Sequence, residues 1–489
     1  MEERIEHSAM SRIKRIFITM ALSLSLLTTA AMLPERTYAS ESTSNSTAIL
    51  NEVLQYIDAY NITNAEKEEL VQKALKGMVS GLNDPYSQYF TPDESKAFQN
   101  QLNLQYEGIG IETHFEDGKA TIMRVFKGSP AEKAGIQKGD ILSQVDGKPI
   151  TDSSHVQKYI LGKAGTTVTV TIKRNGKLMD FNLKREAIHI PAVASALLPG
   201  NTGYIQISSF TSEADEEFAE HLAKLQQRGM KSLIVDLRNN PGGYVESAQH
   251  IAAHFIEKGI LMYTKDNTDK LQPTEIQGGS SLPMPIAVLV NKNSASASEI
   301  LSGALHDHGI ATLVGTTTFG KGRIQSVIPL SDGGLLKLTT QQYVTPNLTD
   351  FNGKGLKPDI ERTGDTAQLL TALNLVNDGK LTFTIKNNQL MGFGDLTLEQ
   401  IPVTAKGNKI YLPSRMIASL LDVDPKWDKN KQTLTLQLAN SKSFTFTAAS
   451  QSVWINNNET YLELGAVHAK FPSFQWSYKD GTLTFQTAK

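Results

Sequence analysis

The sequence contains no cysteine among its 489 residues, which excludes disulfide bonds, zinc–thiolate sites and a cysteine nucleophile. It also lacks an excess of charge of either sign, because 48 basic and 50 acidic residues leave a net charge of −2. Nothing in this balance indicates a nucleic-acid partner. Apolar residues make up 40% of the chain and charged residues 20%, as in ordinary globular proteins, and the length suffices for three or four domains.

Long apolar runs are scarce, and the clearest one lies near the N-terminus. Basic residues at positions 12–15 precede the apolar segment Ile16–Met32, and Thr37–Ala39 places small residues at the usual cleavage positions. This pattern predicts an export signal over residues 1–39 and a secreted or cell-envelope protein. An uncleaved membrane anchor is the alternative, for which the apolar segment is slightly short.

A serine-rich turn follows a short apolar run in the second half of the chain. Pro285–Val290 reads as a strand, and Asn291–Glu299, where three serines alternate with alanines, reads as a tight turn that opens a helix. Small residues and unpaired helical N–H groups at such a turn suit a nucleophilic serine. Ser296 and Glu299 also fit a capping box, so an ordinary helix start is the alternative on this stretch alone.

A lysine between two glycines follows within the segment Thr316–Gln325. The glycines permit close backbone approach, and Phe319, Ile324 and Val327 predict apolar surroundings for the amine of Lys321. A lysine that takes a proton from serine near neutral pH needs its pKa lowered from about 10.4 to roughly 7–8, which burial can supply.

Together, SASASE and FGKGxxQ resemble the serine–lysine peptidases known as C-terminal processing, or tail-specific, proteases. The resemblance implies that Ser296 is the nucleophile, that Lys321 is the general base and that Gln325 orients the lysine. A glutamine suits this role because its amide oxygen accepts a hydrogen bond without a negative charge that would raise the lysine pKa. The choice of Ser296 over Ser294 and Ser298 depends on the family register alone.

A second family hallmark, the segment Arg238–Gly243, follows a predicted buried strand. The resemblance implies that the backbone N–H groups of Gly242 and Ala297 form the oxyanion hole, each contributing about 3 kcal/mol to the transition state. By composition alone the segment also fits a plain turn, with Asp236 and Arg238 forming a structural ion pair.

Residues 101–186 resemble a PDZ domain, chiefly through the string Gly128–Leu142. Asn175-Gly176 between two alternating segments predicts a hairpin within it. The resemblance implies a peptide site in which backbone amides hold a terminal carboxylate and a strand pairs with the peptide backbone. Its residues are Gly108, Ile109, Gly110 and Ile111.

One position departs from the family pattern, since Leu161 stands where many relatives have an arginine thought to couple peptide binding to catalysis. Control of activity by this PDZ domain therefore remains open.

Residues 40–100 show apolar side chains at helical spacing, and the segment Gly81–Pro92 resembles the family's DPYSxYFTP motif. The resemblance implies a dimerisation arm, although an apolar stripe equally fits packing within one chain.

From residue 187 to 378 strands and helices alternate, which predicts an α/β peptidase core. Residues 395–489 contain a diverged repeat of helix and strand with an aromatic core, and they resemble the small domain related to the copper amine oxidase N-terminal domain. No copper ligands are evident there, and no cofactor or metal is expected. Attachment to the cell envelope or to partner proteins is the role we expect for this domain.

The sequence thus predicts an α/β multidomain protein with a helical N-terminal arm, a β-sandwich-like PDZ domain with helices, an α/β serine peptidase core and a small α+β repeat domain. The predicted function is an exported serine endopeptidase that recognises apolar protein C-termini. One alternative is a non-catalytic PDZ scaffold that binds peptide tails. Another is a Ser-His hydrolase using His306 or His308, although two positions apart on a helix they point in different directions and better fit a solvent-facing helix end.

Overall fold

The structure, a computed structural model, describes residues 43–63, 65–393, 396, 398, 400–438 and 442–487. The signal peptide predicted over residues 1–39 lies outside the described residues. Two compact units divide the chain, Met1–Met78 and Val79–Lys489. Among the described residues, no helix combines the length and the apolar character that crossing a membrane requires.

The first unit contains helices, as its apolar spacing predicted. They are α1 (Thr43–Tyr60) and α2 (Lys67–Ser80), and the end of α2 crosses the boundary between the units. Large apolar side chains of α1 are about half exposed, among them Ile49, Val53 and Tyr56.

The second unit begins with a short segment and a PDZ-like sheet. Its elements are β1 (Gln88–Phe90), α3 (Pro92–Leu102), β2 (Gln105–Gly108), β3 (Ile111–Glu116), β4 (Lys119–Val125), α4 (Pro130–Lys133), β5 (Ile141–Val145), β6 (Lys148–Pro149), α5 (Ser153–Ile160), β7 (Thr167–Arg174), β8 (Lys177–Lys184) and β9 (Glu186–His189). The sheet order is β3-β4-β5-β7-β8, with β6 on β5, and β2 pairs with β9 separately.

The predicted hairpin is confirmed, because Asn175 and Gly176 connect β7 to β8 with positive φ angles of 51° and 81°. The core of this region is apolar and closed on itself. Alternate residues of its strands, such as Ile122, Val170 and Ile172, are completely buried between the sheet and its helices.

Two further sheets form the α/β core. Their elements are β10 (Val193–Leu198), β11 (Thr202–Ile207), α6 (Ala214–Gln227), β12 (Ser232–Asp236), α7 (Val245–Ala252), β13 (Lys258–Lys265), β14 (Leu271–Gln277), β15 (Ile286–Val290), α8 (Ala297–Asp307), β16 (Thr312–Gly315), β17 (Arg323–Pro329), β18 (Leu335–Val344) and β19 (Ile360–Glu361). One sheet has the order β10-β11-β12-β15-β16-β19 and is parallel from β11 onward, with β10 antiparallel at its edge.

The other core sheet is antiparallel and has the order β1-β18-β13-β14, with β17 on β18. It includes β1, which precedes the PDZ-like sheet in the chain, paired with residues 335–337. The serine turn at the end of β15 and the segment leading into β17 therefore belong to two different sheets.

The remaining elements are α9 (Asp365–Val376), β20 (Thr382–Lys386), β21 (Gln389–Met391), β22 (Thr404–Lys406), β23 (Lys409–Pro413), α10 (Ser414–Leu421), β24 (Asp424–Asp428), β25 (Thr433–Gln437), β26 (Ser443–Thr447), β27 (Val453–Asn456), β28 (Glu459–Glu463), α11 (Leu464–Lys470), β29 (Trp476–Lys479) and β30 (Thr482–Gln486). The predicted repeat corresponds to β23-α10-β24-β25 and β28-α11-β29-β30. Strand pairing of this region begins before residue 395, because β20 pairs with β30.

The aromatic core expected for the C-terminal region is built mainly from phenylalanines. Phe383, Phe474 and Phe485 are almost completely buried, and Trp476 packs against them. Trp427, at the matching position of the first repeat, is 36% exposed, since its strand β24 is at the edge of a three-stranded sheet.

Candidate active site

Ser296 occupies the turn between β15 and α8 in an unusual backbone conformation. Its φ of 57° and ψ of −115° are a combination that residues with a Cβ rarely adopt, and such strain is typical of functional turns. The turn places Ser296 directly before the first helical residue. The N–H of Ala297 has no acceptor within the helix there, so it is available to a ligand.

The structure separates the three serines that the sequence could not distinguish. Ser294 and Ser298 are completely buried, and their hydroxyls donate to the carbonyl oxygens of Leu237 at 2.8 Å and Asn240 at 2.9 Å. Ser296 alone among the three is partly exposed, and its hydroxyl donates no hydrogen bond within the described part of the chain, while its oxygen can accept the N–H of Glu299 in the predicted capping box. Of the three serines, only Ser296 therefore has a hydroxyl proton that is not engaged by the carbonyl oxygen of another turn.

The carboxylate of Glu299 joins the serine turn to the lysine segment. One oxygen accepts the N–H groups of Ser296 at 3.0 Å and Lys321 at 2.8 Å, and the other accepts the N–H of Gly320 at 2.7 Å and the hydroxyl of Thr318 at 2.5 Å. Burial raises the pKa of Glu299, and these four hydrogen bonds only partly offset that rise. The side chain proposed as a helix cap therefore also fixes the backbone of the lysine.

Lys321 is half-buried, and its environment favours the neutral amine. Burial lowers the pKa of Lys321 and the charge of Lys337 lowers it further, whereas Glu299 and Asp84 act in the opposite direction without reversing the shift. The amine lies 5.2 Å from the centre of the Tyr86 ring. The direction of this shift is the one that a general base requires.

The apolar surroundings of Lys321 differ from those expected. Phe319 is 55% exposed and Val327 is 43% exposed, so the prediction that these two side chains bury the amine is wrong. The side chain of Val327 points to the exposed face of β17. Phe319 lies in a turn that is held by the hydrogen bond from its backbone N–H to the carbonyl oxygen of Ser294, and its ring takes no part in that contact. Burial is supplied instead by residues distant in sequence, among them Tyr86.

Tyr343 is a site residue that sequence reasoning missed. It is fully buried on β18, and its hydroxyl donates to the carbonyl oxygen of Lys321 at 2.7 Å and also lies 3.0 Å from that of Ser296. Its ring packs edge-on against Phe351. Tyr343 differs from an ordinary core residue only because its hydroxyl contacts the backbone of both motifs. No pattern in the neighbouring sequence predicts these contacts.

Gln325 lies on β17 directly after an irregularity in the pairing with β18. Its amide nitrogen donates to the carbonyl oxygen of Arg323 at 3.3 Å and to the hydroxyl of Thr339 at 3.2 Å. Within the described residues, its amide oxygen accepts no hydrogen bond, and none joins Gln325 to Lys321. The amide oxygen, which the predicted role would place as acceptor for the amine of Lys321, therefore has no hydrogen-bond partner among the described residues.

Gly242 and Ala297 lie together beside Ser296, as an oxyanion hole would require. A Cβ at Gly242, whose φ is 104°, would stand 2.8 Å from the Cβ of Ser296 and 3.0 Å from the nitrogen of Ala297, so only glycine fits. The N–H of Gly242, however, donates to the side-chain oxygen of Asn240 at 2.9 Å. This donor is therefore engaged within its own turn in the structure.

The structural alternative for Asp236 and Arg238 is confirmed. Their side chains form a buried ion pair with a 2.5 Å contact, and Tyr204 donates to Asp236 at 2.7 Å. Arg238 also donates to the carbonyl oxygen of Asp365 at 2.7 Å and to Gln368 at 3.1 Å, both on α9. The pair anchors the oxyanion turn to the helix that leads into the C-terminal region.

The two histidines considered for a triad lie at the far end of α8. His306 is within 3.1 Å of both Asp307 and Asp359, and His308 contacts the carbonyl oxygen of Ile260 at 2.8 Å. A rise of 1.5 Å per residue places His306 about 15 Å from Ser296 along the helix. The interpretation as a solvent-facing helix end is confirmed by this geometry.

The predicted peptide site has the geometry of an exposed sheet edge. Among the strands that the structure describes, β3, which begins at Ile111, pairs only with β4, so its other edge can accept a peptide strand. Gly110 has a φ of 82°, and a Cβ there would overlap Ser129 at 2.2 Å. Ile109 is fully buried, and Leu161 is 44% exposed beside Gly108.

One group of side chains in the described part of the chain could hold a metal ion. His189, Glu213 and Glu217 bring ligand atoms within 4.8 Å of one another. Glu217 already accepts hydrogen bonds from His189 and from the N–H of Val193, both at 2.9 Å. These bonds account for the group without an ion, and none of its members belongs to the C-terminal region.

Comparisons with known protein families match the N-terminal, PDZ, peptidase and C-terminal regions of the chain in turn. Models of four families match the chain: peptidase family S41 over residues 201–362, the PDZ domain over 108–184, the activating protease CtpB N-terminal domain over 16–94 and the copper amine oxidase N-terminal domain over 394–470.

Individual proteins that resemble the chain are also named as processing or CtpA-like proteases. The carboxy-terminal processing protease CtpB of Bacillus subtilis (strain 168) is 35% identical over 339 residues, which cover 68% of this chain and 70% of that protein. A probable CtpA-like serine protease of Staphylococcus haemolyticus (strain JCSC1435) is 37% identical over 65% of this chain and 64% of that protein. Among solved structures, the photosystem II D1 C-terminal processing protease matches with a TM-score of 0.40 and 26% identity, over 64% of this chain and 92% of that chain.

Proposed function

Because the chain belongs to the carboxy-terminal processing proteases of peptidase family S41, we propose that it is an exported serine endopeptidase that binds protein C-termini in its PDZ domain and cleaves with a Ser296–Lys321 dyad. The single observation that carries this proposal is the carboxylate of Glu299, which accepts the backbone N–H groups of both residues. It supports a dyad because it holds the backbones of nucleophile and base in one rigid frame.

In the first half-reaction, the hydroxyl oxygen of Ser296 attacks the scissile carbonyl carbon while the neutral amine of Lys321 takes the hydroxyl proton. The resulting oxyanion is stabilised by the N–H groups of Ala297 and Gly242, and the latter must first turn away from Asn240. Collapse of the intermediate breaks the C–N bond, and the proton on Lys321 passes to the leaving amine. An acyl-enzyme on Ser296 remains.

In the second half-reaction, Lys321 takes a proton from water, whose oxygen attacks the acyl carbon. Collapse releases the new carboxyl terminus and returns the proton to the oxygen of Ser296. The amide oxygen of Gln325 holds the amine of Lys321 in line through both steps, which is consistent with its lack of another partner. Lys321 can act in both half-reactions because its amine is neutral again at the end of each one.

Tail recognition uses the free edge of β3 and the turn that precedes it. The backbone of the incoming tail pairs with the strand that starts at Ile111, and the N–H groups around Gly108, Ile109 and Gly110 hold its terminal carboxylate. Apolar side chains suit this groove because the residues that flank it are apolar, including Leu161.

The dyad is tested by cleavage of an unfolded protein with an apolar C-terminus. We expect Ser296→Ala and Lys321→Ala to lose at least about a hundredfold in kcat while remaining folded. Lys354→Ala, on an exposed lysine of the neighbouring loop, is the matched control and should cleave like the parent. Retention of activity in Lys321→Ala would contradict the dyad.

Tail recognition is tested with the same substrate in two further forms, one with an amidated C-terminus and one ending in aspartates. Binding to the PDZ domain should weaken for both, because one lacks the terminal charge and the other the apolar side chains. If the parent chain binds the unmodified tail but never cleaves it, the scaffold interpretation replaces the peptidase.

Export and envelope association are further parts of the proposal. Cleavage after Ala39 predicts a mature chain that begins at Ser40, which mass spectrometry of the secreted protein would detect. Attachment through the C-terminal region predicts that the mature chain sediments with isolated cell envelopes. A protein that keeps residues 1–39 favours the anchor instead.

We also propose that the chain forms a homodimer through its N-terminal helices. The half-exposed apolar side chains of α1, such as Ile49 and Val53, support this because the described residues of their unit leave them uncovered. Light scattering of the mature chain should give twice the chain mass, and Val53→Glu should return it to the monomer.

A further inference from the structure

The segment Asp84–Phe90, which precedes the PDZ domain in the chain, lies against the strand that flanks the proposed catalytic lysine. Its last three residues pair with β18 as strand β1. Just before them, the hydroxyl of Ser87 accepts the N–H of Thr339 at 3.0 Å, and the ring of Tyr86 lies 5.2 Å from the amine of Lys321. So far this turn has been given only the burial of Lys321 by Tyr86 and the charge of Asp84.

A chain of hydrogen bonds runs from this turn to Gln325. The carboxylate of Asp84 accepts the hydroxyl of Ser87 at 2.5 Å, and the oxygen of Ser87 accepts the backbone N–H of Thr339 at 3.0 Å. The amide nitrogen of Gln325 in turn donates to the hydroxyl oxygen of Thr339 at 3.2 Å. Residues distant in sequence are therefore linked in one series.

The direction of each bond in the chain follows from Asp84. Burial raises the pKa of Asp84, but hydrogen bonds from Ser87, Thr339 and the N–H of Tyr86, together with the charge of Arg323, outweigh burial and lower it. An ionised carboxylate only accepts, so Ser87 gives it its single hydroxyl proton, and the oxygen of Ser87 accepts the N–H of Thr339. The turn therefore holds the backbone of Thr339, whose hydroxyl oxygen accepts the nitrogen end of the Gln325 amide.

We propose that Asp84, acting through Ser87 and Thr339, fixes the amide of Gln325 with its oxygen toward the amine of Lys321, so that the turn Asp84–Ser87 is a positioning element of the catalytic site. The proposal rests on the peptidase function proposed above. Without this series, the amide of Gln325 has only the longer bond to the Arg323 carbonyl, at 3.3 Å, to keep it from rotating.

The charges that face Lys321 decide the sign of the expected effects. Lys337 on β18 favours the neutral amine, whereas Glu299 on α8 and Asp84 on the turn favour the charged amine, as does the ring face of Tyr86. Loss of the Asp84 charge therefore lowers the pKa of Lys321. Rotation of the Gln325 amide lowers it too, because a donor replaces the acceptor that faces the ammonium.

The first test compares two substitutions of one hydroxyl. Thr339→Val keeps the shape but removes the link, and we expect kcat to fall by roughly tenfold or more with KM nearly unchanged, because displacing a catalytic group by about 1 Å can cost about a hundredfold in rate. Thr339→Ser keeps the hydroxyl and should restore most of kcat. A merely structural role for Thr339 would not separate kcat from KM in this way.

The second test measures Lys321 without relying on activity. Only the neutral amine is acetylated, so the rate of trace acetylation of Lys321 by acetic anhydride, read by peptide mass spectrometry, rises with pH through its pKa. We expect the midpoint to move to lower pH in both Asp84→Asn and Thr339→Val, and to stay in place in Thr339→Ser. Ser296→Ala can serve as the background if the active enzyme degrades itself.

A matched control is Asp332→Asn. Asp332 accepts the hydroxyl of Tyr89 at 2.9 Å and so ties the same segment to the far end of β18, away from Thr339. Loss of this hydrogen bond should leave the pH midpoint of Lys321 acetylation unchanged, even if it lowers the melting temperature of the chain.

The outcomes separate the two proposals. An unchanged Lys321 midpoint in Thr339→Val overturns the positioning role, whether or not the chain cleaves peptides. A parent chain that fails to cleave, with midpoints that move as expected, overturns the peptidase function but keeps the link from Asp84 to Lys321. Full kcat in both Asp84→Asn and Thr339→Val, beside an inactive Lys321→Ala, keeps the function and overturns the positioning role.

Discussion

The PDZ region and the C-terminal region both resemble small known domains, but they are built into the protein differently. The apolar core of the PDZ region, which includes Ile122 and Ile172, is confined to that region. The core of the C-terminal region is continuous with one face of the catalytic sheet and includes Leu289 of β15 together with Phe383 and Phe485. One region is a self-contained module, and the other completes the peptidase core.

The catalytic sheet explains this difference, because its strands are buried on both faces. Along β15, Val288 and Val290 point into the core shared with α6, α7 and α8, whereas Ala287 and Leu289 point into the core shared with α9 and the C-terminal strands. A parallel sheet needs both faces covered. The C-terminal region supplies much of that cover, so we expect it to be required for folding whatever its other roles.

Truncation should have the largest effect. Deletion of residues 380–489 exposes Leu289, Val314 and the buried face of α9, and we expect a chain without a cooperative thermal transition by calorimetry. The matched change is replacement of residues 109–185 by a short glycine-serine linker, since Gly108 and Glu186 are paired across β2 and β9.

We expect the chain without its PDZ sheet to keep the thermal transition of the catalytic core and to lose binding of peptide tails. Calorimetry and tail-peptide binding measure the two results. A truncated chain that melts cooperatively, or an excised chain that does not, would reverse the comparison.

Arg238→Met tests the anchor between the oxyanion turn and α9. It leaves Asp236 buried without its charged partner, and breaking such a pair costs about 3–5 kcal/mol. We expect urea denaturation to show this loss in the transition of the catalytic core and not in that of the PDZ region. A loss below about 1 kcal/mol would mean that the carboxylate is neutral or reached by water.

A pair of conservative substitutions gives a smaller and more local effect. Ile385→Val in the C-terminal region and Ile172→Val in the PDZ region each remove one methyl group from a completely buried side chain, at a cost of about 0.5–1.5 kcal/mol. The first should lower the melting temperature of the catalytic core, and the second only that of the PDZ region. Equal effects of both on one transition would show that the two cores unfold together.

The smallest change is electrostatic and should shift a pH profile without unfolding either region. The charge of Lys337 lowers the pKa of Lys321, so Lys337→Met should raise that pKa and leave more of the amine protonated at a given pH. The acid limb of kcat/KM should therefore move to higher pH. Lys163→Met, on an exposed lysine of the PDZ region, should not move it.

Local patterns predicted much of the fold. The alternation of strands and helices from residue 187, with α6 (Ala214–Gln227) among the helices, and the hairpin at Asn175-Gly176 are confirmed, because helical spacing and turn chemistry depend on residues close in sequence. The apolar surroundings expected from Phe319 and Val327 are wrong, because neighbours in sequence do not determine which side chains cover a buried amine.

The sequence by itself determined the family, the order of the regions and the two motifs that carry Ser296 and Lys321, since short segments with strict backbone requirements keep recognisable residues. Only the tertiary structure decided which serine has an unengaged hydroxyl proton, that Tyr343 spans the two motifs and that the turn at Asp84 reaches Gln325 through Ser87 and Thr339. The physical reason is that these contacts join different sheets and segments. Hydrogen bonds of this kind depend on the packing of distant strands, which no local spacing encodes.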